Sequence, residues 1–274
     1  MKASIGGQSV RYVVLSIFAV VVLAPFVSIV LASLHSPDSQ VAGLSIPTEW
    51  SWSNFAAAWT QGRFSRFLLS SVIIAAIVVP LSLVLSTLAG FSLALLRPPG
   101  AKGISLAFVL GLTLPIELVV VALYFNLMPL GLTNSYLGVA LSETALFMPF
   151  GVYWMQTHFA GIPRELVESA RIDGAKDLVV LCRVLVPISW PAITTLCVLF
   201  FMWSWNQFLL VLVLIQDPDM RTAPAGLGFF VGEFSTNVPL LSAASIIAIA
   251  PIVVVYLIFQ RSFVSGITQG AVKG

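Results

Sequence analysis

The chain has 274 residues, of which 59% are hydrophobic and only 9% charged. A soluble domain carries roughly a quarter charged residues, so this composition excludes a water-soluble fold. A net charge of +2 gives no electrostatic reason for a nucleic-acid partner.

In chain order, the apolar residues gather into six runs, near 12–34, 68–96, 104–127, 135–158, 190–215 and 241–259. Each approaches the roughly 20 residues that cross a bilayer as a helix. No stretch alternates apolar and polar residues in the manner of barrel strands. The expectation is an all-α integral membrane protein: one domain over residues 1–274, six transmembrane helices and a boundary of membrane lipid. The first run follows Lys2 and Arg11. It is too long for a signal-peptide core and no small-residue cleavage site follows Leu34, so it reads as a span. Pro25, Pro80, Pro115, Pro149 and Pro251 fall inside spans, where neighbouring groups can satisfy the carbonyl that each proline frees.

Lysine and arginine placement sets the expected orientation. With the N-terminus inside, ten basic residues face the cytoplasm (Lys2, Arg11, Arg97, Lys102, Arg164, Arg171, Lys176, Arg183, Arg261, Lys273) and three face out (Arg63, Arg66, Arg221). Both termini are therefore expected in the cytoplasm. The first outer loop, 35–67, carries Trp50, Trp52 and Trp59, residues suited to the membrane interface. No internal repeat is visible, which weighs against transporters built from two duplicated halves.

The inner loop 159–189 is the most informative segment. It reads GIPRELVESARIDGAKDLVVLCRVLVPISWP from Gly161 to Pro191. Pro163 suits a first helical position. Glu165 and Glu168 lie in the first two turns, where negative charge favours the helix dipole. Gly174 can take the left-handed conformation that stops the helix. A second helix is expected from about Ala175 to Val186, ending at Pro187. The result is an elbow at Asp173–Gly174, whose mixed face, with Leu166, Val167 and Ile172 among charges, suits either docking of another protein or contact with the membrane surface.

Within this loop Glu168-Ser169-Ala170, then Gly174, then Val184, Val186 and Pro187 resemble the cytoplasmic signature of permease subunits of binding-protein-dependent ABC importers. That signature is Glu-Ala-Ala, three residues, Gly, nine residues, Ile, one residue, Leu-Pro. Ser169, Val184 and Val186 are conservative departures. The resemblance covers nearly the whole chain and is closest to the sugar-importer branch that includes the maltose permease subunits. Leu96–Gly100, Leu132–Tyr136 and Phe201–Phe208 resemble segments of that branch, with Gln207 where the branch has an acid. The tail Ile267–Gly274 is similar to that of one partner of the maltose-type pair. The resemblance implies a MetI-like permease fold in the bacterial cytoplasmic membrane. It also implies a second, different permease subunit, two ATPase subunits and an extracytoplasmic lipoprotein binding protein. Glu168, Ser169, Ala170, Asp173, Gly174 and Pro187 are then the ATPase-coupling residues.

The chain carries no phosphate-cradling G-x-x-x-x-G-K-[ST] loop, so energy must come from a partner. His35 and His158 fall at opposite membrane faces, and Cys182 and Cys197 form no CxxC pair, so neither a metal site nor a cofactor is expected. Glu143, Trp203, Trp205, Asn206 and Gln207, with Tyr124 and Asn134 nearer the outer mouth, supply aromatic planes and polar groups suited to a sugar path. Ion-coupled secondary transport, an importer for a non-sugar solute and an intramembrane enzyme are the competing readings. The first lacks paired halves, and the last lacks paired acids or histidines.

Overall fold

In the computed structural model the described residues are 5–37, 39, 41, 43–231 and 236–271, with side chains described from residue 11 to residue 260. They form two compact units, one of Met1–Ser65 with Gly226–Ala250 and the other of Arg66–Ala225 with Pro251–Gly274. The helices are α1 (Ile5–Ser33), α2 (Ser53–Gln61), α3 (Phe64–Phe91), α4 (Ala101–Gly111), α5 (Ile116–Leu127), α6 (Tyr136–Ala160), α7 (Arg164–Ile172), α8 (Asp177–Val180), α9 (Val186–Ile188), α10 (Trp190–Asn206), α11 (Leu209–Leu214), α12 (Ala223–Gly226) and α13 (Val238–Ala271). Among the described residues there is no strand, only a single bridge between Val231 and Thr236.

Among the described residues three helical segments are long and apolar enough to cross a membrane: Arg11–Ser33, Phe64–Leu96 and Val238–Gln260. Two bent pairs raise the number to five, with bends of 105° between Ala101–Gly111 and Ile116–Leu130 and of 81° between Asp177–Ile188 and Trp190–Asn206. α6 has the length, at 25 residues, but carries Ser142, Glu143, Thr144 and Gln156 and is less apolar. Its polar side chains are tolerated because α6 is the central helix of its unit, with Val139, Ala140, Val152, Met155 and Phe159 all fully or almost fully buried.

The expected single helix over 104–127 is broken. Pro115 has no amide to donate and takes an extended backbone at the N-cap of α5, so α4 ends at Gly111. Pro25, Pro80, Pro149 and Pro251, by contrast, stay inside α1, α3, α6 and α13.

Glycines set the tightest approaches around α6. A Cβ on Gly90 of α3 would lie 2.6 Å from the Met155 Cβ, and one on Gly151 would lie 2.1 Å from the Ser86 Oγ and 2.7 Å from the Phe200 ring. In the first unit, buried Asn54 of α2 donates from Nδ2 to the carbonyls of Ser33 (2.8 Å) and His35 (2.7 Å), satisfying groups that the end of α1 leaves free. Tyr12, Ile17, Phe18, Val20 and Val21 of α1 are exposed.

Candidate functional site

Two places in the second unit hold the coupling-loop residues and two of the path residues singled out by sequence: the elbow after α6 and a groove where two helices break.

At the elbow, Pro163 is the N-cap of α7. The helix stops in a pattern of two crossed hydrogen bonds. The Gly174 amide donates to Arg171 O at 3.0 Å and the Ala175 amide donates to Ala170 O at 3.0 Å. This is the Schellman arrangement, and it requires a left-handed residue at Gly174, whose φ is +82°. Arg171 of α7 then donates to Asp177 Oδ1 at the start of α8, at 2.8 Å. Ser169 Oγ donates back to Glu165 O at 2.6 Å.

The chain does not stop at Pro187 as expected. A π-helical turn at Leu181–Leu185 joins α8 to α9, which includes Pro187. A proline in a helix removes one i→i−4 bond and crowds the carbonyl four residues back, here that of Arg183. The wider turn accommodates that loss.

The inner face of the elbow is apolar. Ile162, Val167, Val180, Leu181 and Leu185 join the core cluster that contains Phe91 and Phe159, and those two rings meet edge to face at 6.3 Å. The outer face exposes Glu168, Ser169, Asp173, Gly174 and Pro187 together with Leu166, Ile172 and Leu178, while Ala170 is half-buried against the core. Ile172 is 86% exposed. The elbow is thus packed on its apolar face and leaves large apolar side chains exposed on the other.

The groove has a volume of about 280 Å³ and is lined by Gly111, Leu112, Leu114 and Ile116 at the α4–α5 break, by Leu146, Phe147, Pro149 and Phe150 of α6, and by Trp203 and Gln207 at the α10–α11 break. Both discontinuities therefore open on one space. Trp203 is set against Phe147 and Phe150, edge to face at 5.5 and 5.0 Å. Gln207 turns extended, and its side-chain oxygen accepts from the Leu210 amide at 3.3 Å, capping α11.

The remaining predicted path residues lie elsewhere. Glu143 is wholly buried between α6 and α10, where it interacts with Ser204 but makes no hydrogen bond of good geometry. Trp205 is buried and packs on Phe201 at 5.4 Å. Asn206 is exposed and donates to Met202 O of its own helix at 2.8 Å. The Tyr124 hydroxyl accepts from Gln216 Nε2 at 2.9 Å, and Asn134 Oδ1 accepts from the Gln216 and Asp217 amides. Residues that sequence reasoning passed over include Gln216 and the close-approach glycines Gly90, Gly111 and Gly151. A glycine inside an apolar helical run was the available signal for the last three. The tail Ile267–Gly274 has a helical backbone to Ala271; its side chains and its last three residues lie outside the described set.

Among the described residues no group of three or more metal-ligating side chains comes together.

Residues 55–269 match the family described as binding-protein-dependent transport system inner membrane component. The chain is 28% identical to the diacetylchitobiose uptake system permease protein NgcG of Streptomyces coelicolor, over 97% of this chain and 89% of that one. It is 31% identical to the arabinooligosaccharides transport system permease protein AraQ of Halalkalibacterium halodurans, over 93% of each. In fold it is similar to a chain of a bacterial ABC transporter involved in the import of the acidic polysaccharide alginate, with a TM-score of 0.81, 21% identity, and coverage of 96% of this chain and 99% of that one. The matched residues include the elbow, both helix breaks and the central helix α6; the chain belongs to the family of inner membrane permease components of binding-protein-dependent ABC importers.

Proposed function

We propose that this permease conducts a sugar, most plainly an oligosaccharide, as one half of a heteromeric channel with a second, different permease. Two ATPase subunits supply the energy and an extracytoplasmic lipoprotein delivers the sugar. The observation that carries the reading is the elbow, rigid on its apolar inner face and open on its outer face, in a chain with no nucleotide-binding loop of its own. Glu168, Ser169, Ala170, Asp173, Gly174 and Pro187 form the ATPase-facing surface. Closure of the ATPases on nucleotide pushes this surface and switches the permease between inward and outward access.

The sugar reading is supported by relatives whose names specify diacetylchitobiose and arabinooligosaccharides. Of the path residues, Trp203 and Gln207 border the groove; an aromatic plane beside an amide suits a sugar ring with its hydroxyls. A topology of six spans with both termini in the cytoplasm is part of this reading, and the lysine and arginine bias supports it.

The test is uptake by the reconstituted complex in vesicles, with diacetylchitobiose and arabinotriose as probes. Uptake that needs both ATP and the binding protein is expected for at least one oligosaccharide. Uptake driven by an ion gradient without ATP, or uptake of amino acids and not of sugars, overturns the reading.

A further inference from the structure

Asn134 sits in the short link ahead of α6 with its backbone in the left-handed region, at φ +54°. Asparagine tolerates that conformation better than most residues. The link is fixed to the helix it precedes. Ser135 Oγ accepts from the Gly138 amide at 3.0 Å, and a Cβ on Gly138 would fall 1.9 Å from the Leu132 carbonyl oxygen.

From this fixed point Asn134 makes three hydrogen bonds to the segment that leaves α11. Its amide donates to Leu214 O at 2.7 Å. Its side-chain oxygen accepts from the amides of Gln216 at 3.0 Å and Asp217 at 2.8 Å. An amide oxygen has two lone pairs, and both are used on this one turn.

The segment is fastened further along its length. Gln216 Nε2 donates to the Tyr124 hydroxyl of α5 at 2.9 Å. Asp219 pairs with Arg66 of α3. The Ala223 amide donates to Ser71 Oγ of α3 at 2.9 Å, in a buried setting. The stretch from Leu214 to Ala223 is thus held to α3, α5 and α6 and does not hang as a free loop.

We infer that Asn134 is a positioning residue that fixes the outer segment 216–223 to the N-terminal end of α6, presenting that segment as a pre-formed surface to the sugar-loaded binding protein. This rests on the orientation and function proposed above. Pre-ordering matters because a loop that must be ordered at the moment of docking loses affinity to that ordering. The placement also has a consequence for coupling. The elbow leaves the other end of the same helix, at Gly161–Pro163, so α6 is shared by the surface facing the binding protein and the surface facing the ATPase. Asn134 joins the outer segment to that helix.

The test uses the full complex with two variants. Asn134→Gly keeps the left-handed backbone without strain and deletes the acceptor; Asn134→Asp keeps an acceptor oxygen in place. Hydrogen exchange at the Gln216 and Asp217 amides is expected to quicken by about fivefold or more in Asn134→Gly, the loss of one net hydrogen bond at each, and to stay near wild type in Asn134→Asp. The ratio of ATPase activity with the binding protein to that without it, measured with diacetylchitobiose and arabinotriose, should fall toward one in Asn134→Gly and recover in Asn134→Asp. Unchanged exchange in Asn134→Gly, or equal loss of the ratio in both variants, overturns the positioning role. A wild-type complex that the binding protein does not stimulate overturns the proposed function instead, and the exchange arm then still decides whether Asn134 holds the segment.

Discussion

The amide of Ala175 donates to the carbonyl of Ala170 across Gly174, and this six-residue closure is what makes the elbow an elbow. It reverses the chain within one residue whose φ is +82°. A Cβ at Gly174 would meet nothing within 4 Å, so the demand on that position is purely one of backbone conformation.

Gly174→Ala is therefore expected to cost about 1 kcal/mol through the left-handed backbone alone. Gly174→Asn should be milder and Gly174→Val more severe, since asparagine tolerates this region and a β-branched residue does not. Retention of the ATPase subunits on purified permease, compared across the three variants, should fall in that order. A ranking by side-chain size, with asparagine worse than alanine, would show that a packing clash is at work and not backbone strain.

Gly151 presents the opposite case. Its backbone is ordinary helix, but Ser86 and Phe200 occupy the space a side chain would need. Gly151→Ala should destabilise the permease by about 1–3 kcal/mol through overpacking. Gly103, with nothing within 4 Å of its Cβ, should accept alanine without loss. Thermal stability in detergent separates the two.

Trp203 and Trp205 are neighbours in sequence and differ in setting. Trp205 is 3% exposed and Trp203 36% exposed. Trp205→Ala should remove folded protein, by about 3–5 kcal/mol for a buried aromatic. Trp203→Ala should leave assembled complex and lower the uptake rate. Uptake normalised to complex on the membrane distinguishes them, and normal transport by Trp203→Ala would remove that residue from the path.

Glu143 is wholly buried with no hydrogen bond of good geometry to either oxygen. A charged carboxylate in such a place has little beyond the Ser204 hydroxyl to offset its desolvation. Glu143→Gln, with the same shape and no charge, should assemble at least as well as wild type, whereas Glu143→Ala should leave a cavity and assemble less well. Equal yields of the two variants would show that the side chain's volume is unimportant.

The class of this protein was written in its composition, because a chain with 9% charged residues cannot cover itself with a water-facing surface. The elbow was legible for a related reason. Pro163, Glu165 and Gly174 act through local backbone rules that hold within one helical turn, and the helix α7 and its Schellman stop follow from them directly. Family resemblance added the meaning of the Glu168–Pro187 spacing, which local physics alone does not supply.

What sequence left open was decided by contacts between distant segments. Hydropathy treated 104–127 and 190–215 as unbroken spans, because it averages over about a helix length and cannot register that Pro115 and Gln207 interrupt the backbone. Side-chain chemistry alone grouped Glu143, Trp203, Trp205, Asn206 and Gln207 as aromatic planes and polar groups suited to a sugar. The fold parts them: only Trp203 and Gln207 reach the groove, since successive residues on a helix point about a quarter-turn apart and α6 covers one side of α10. Asn134 and Tyr124 read as polar groups near a mouth. Their partner, Gln216, lies more than eighty residues on, and no local rule brings it to them; only the packing of α5, α6 and α11 against one another does.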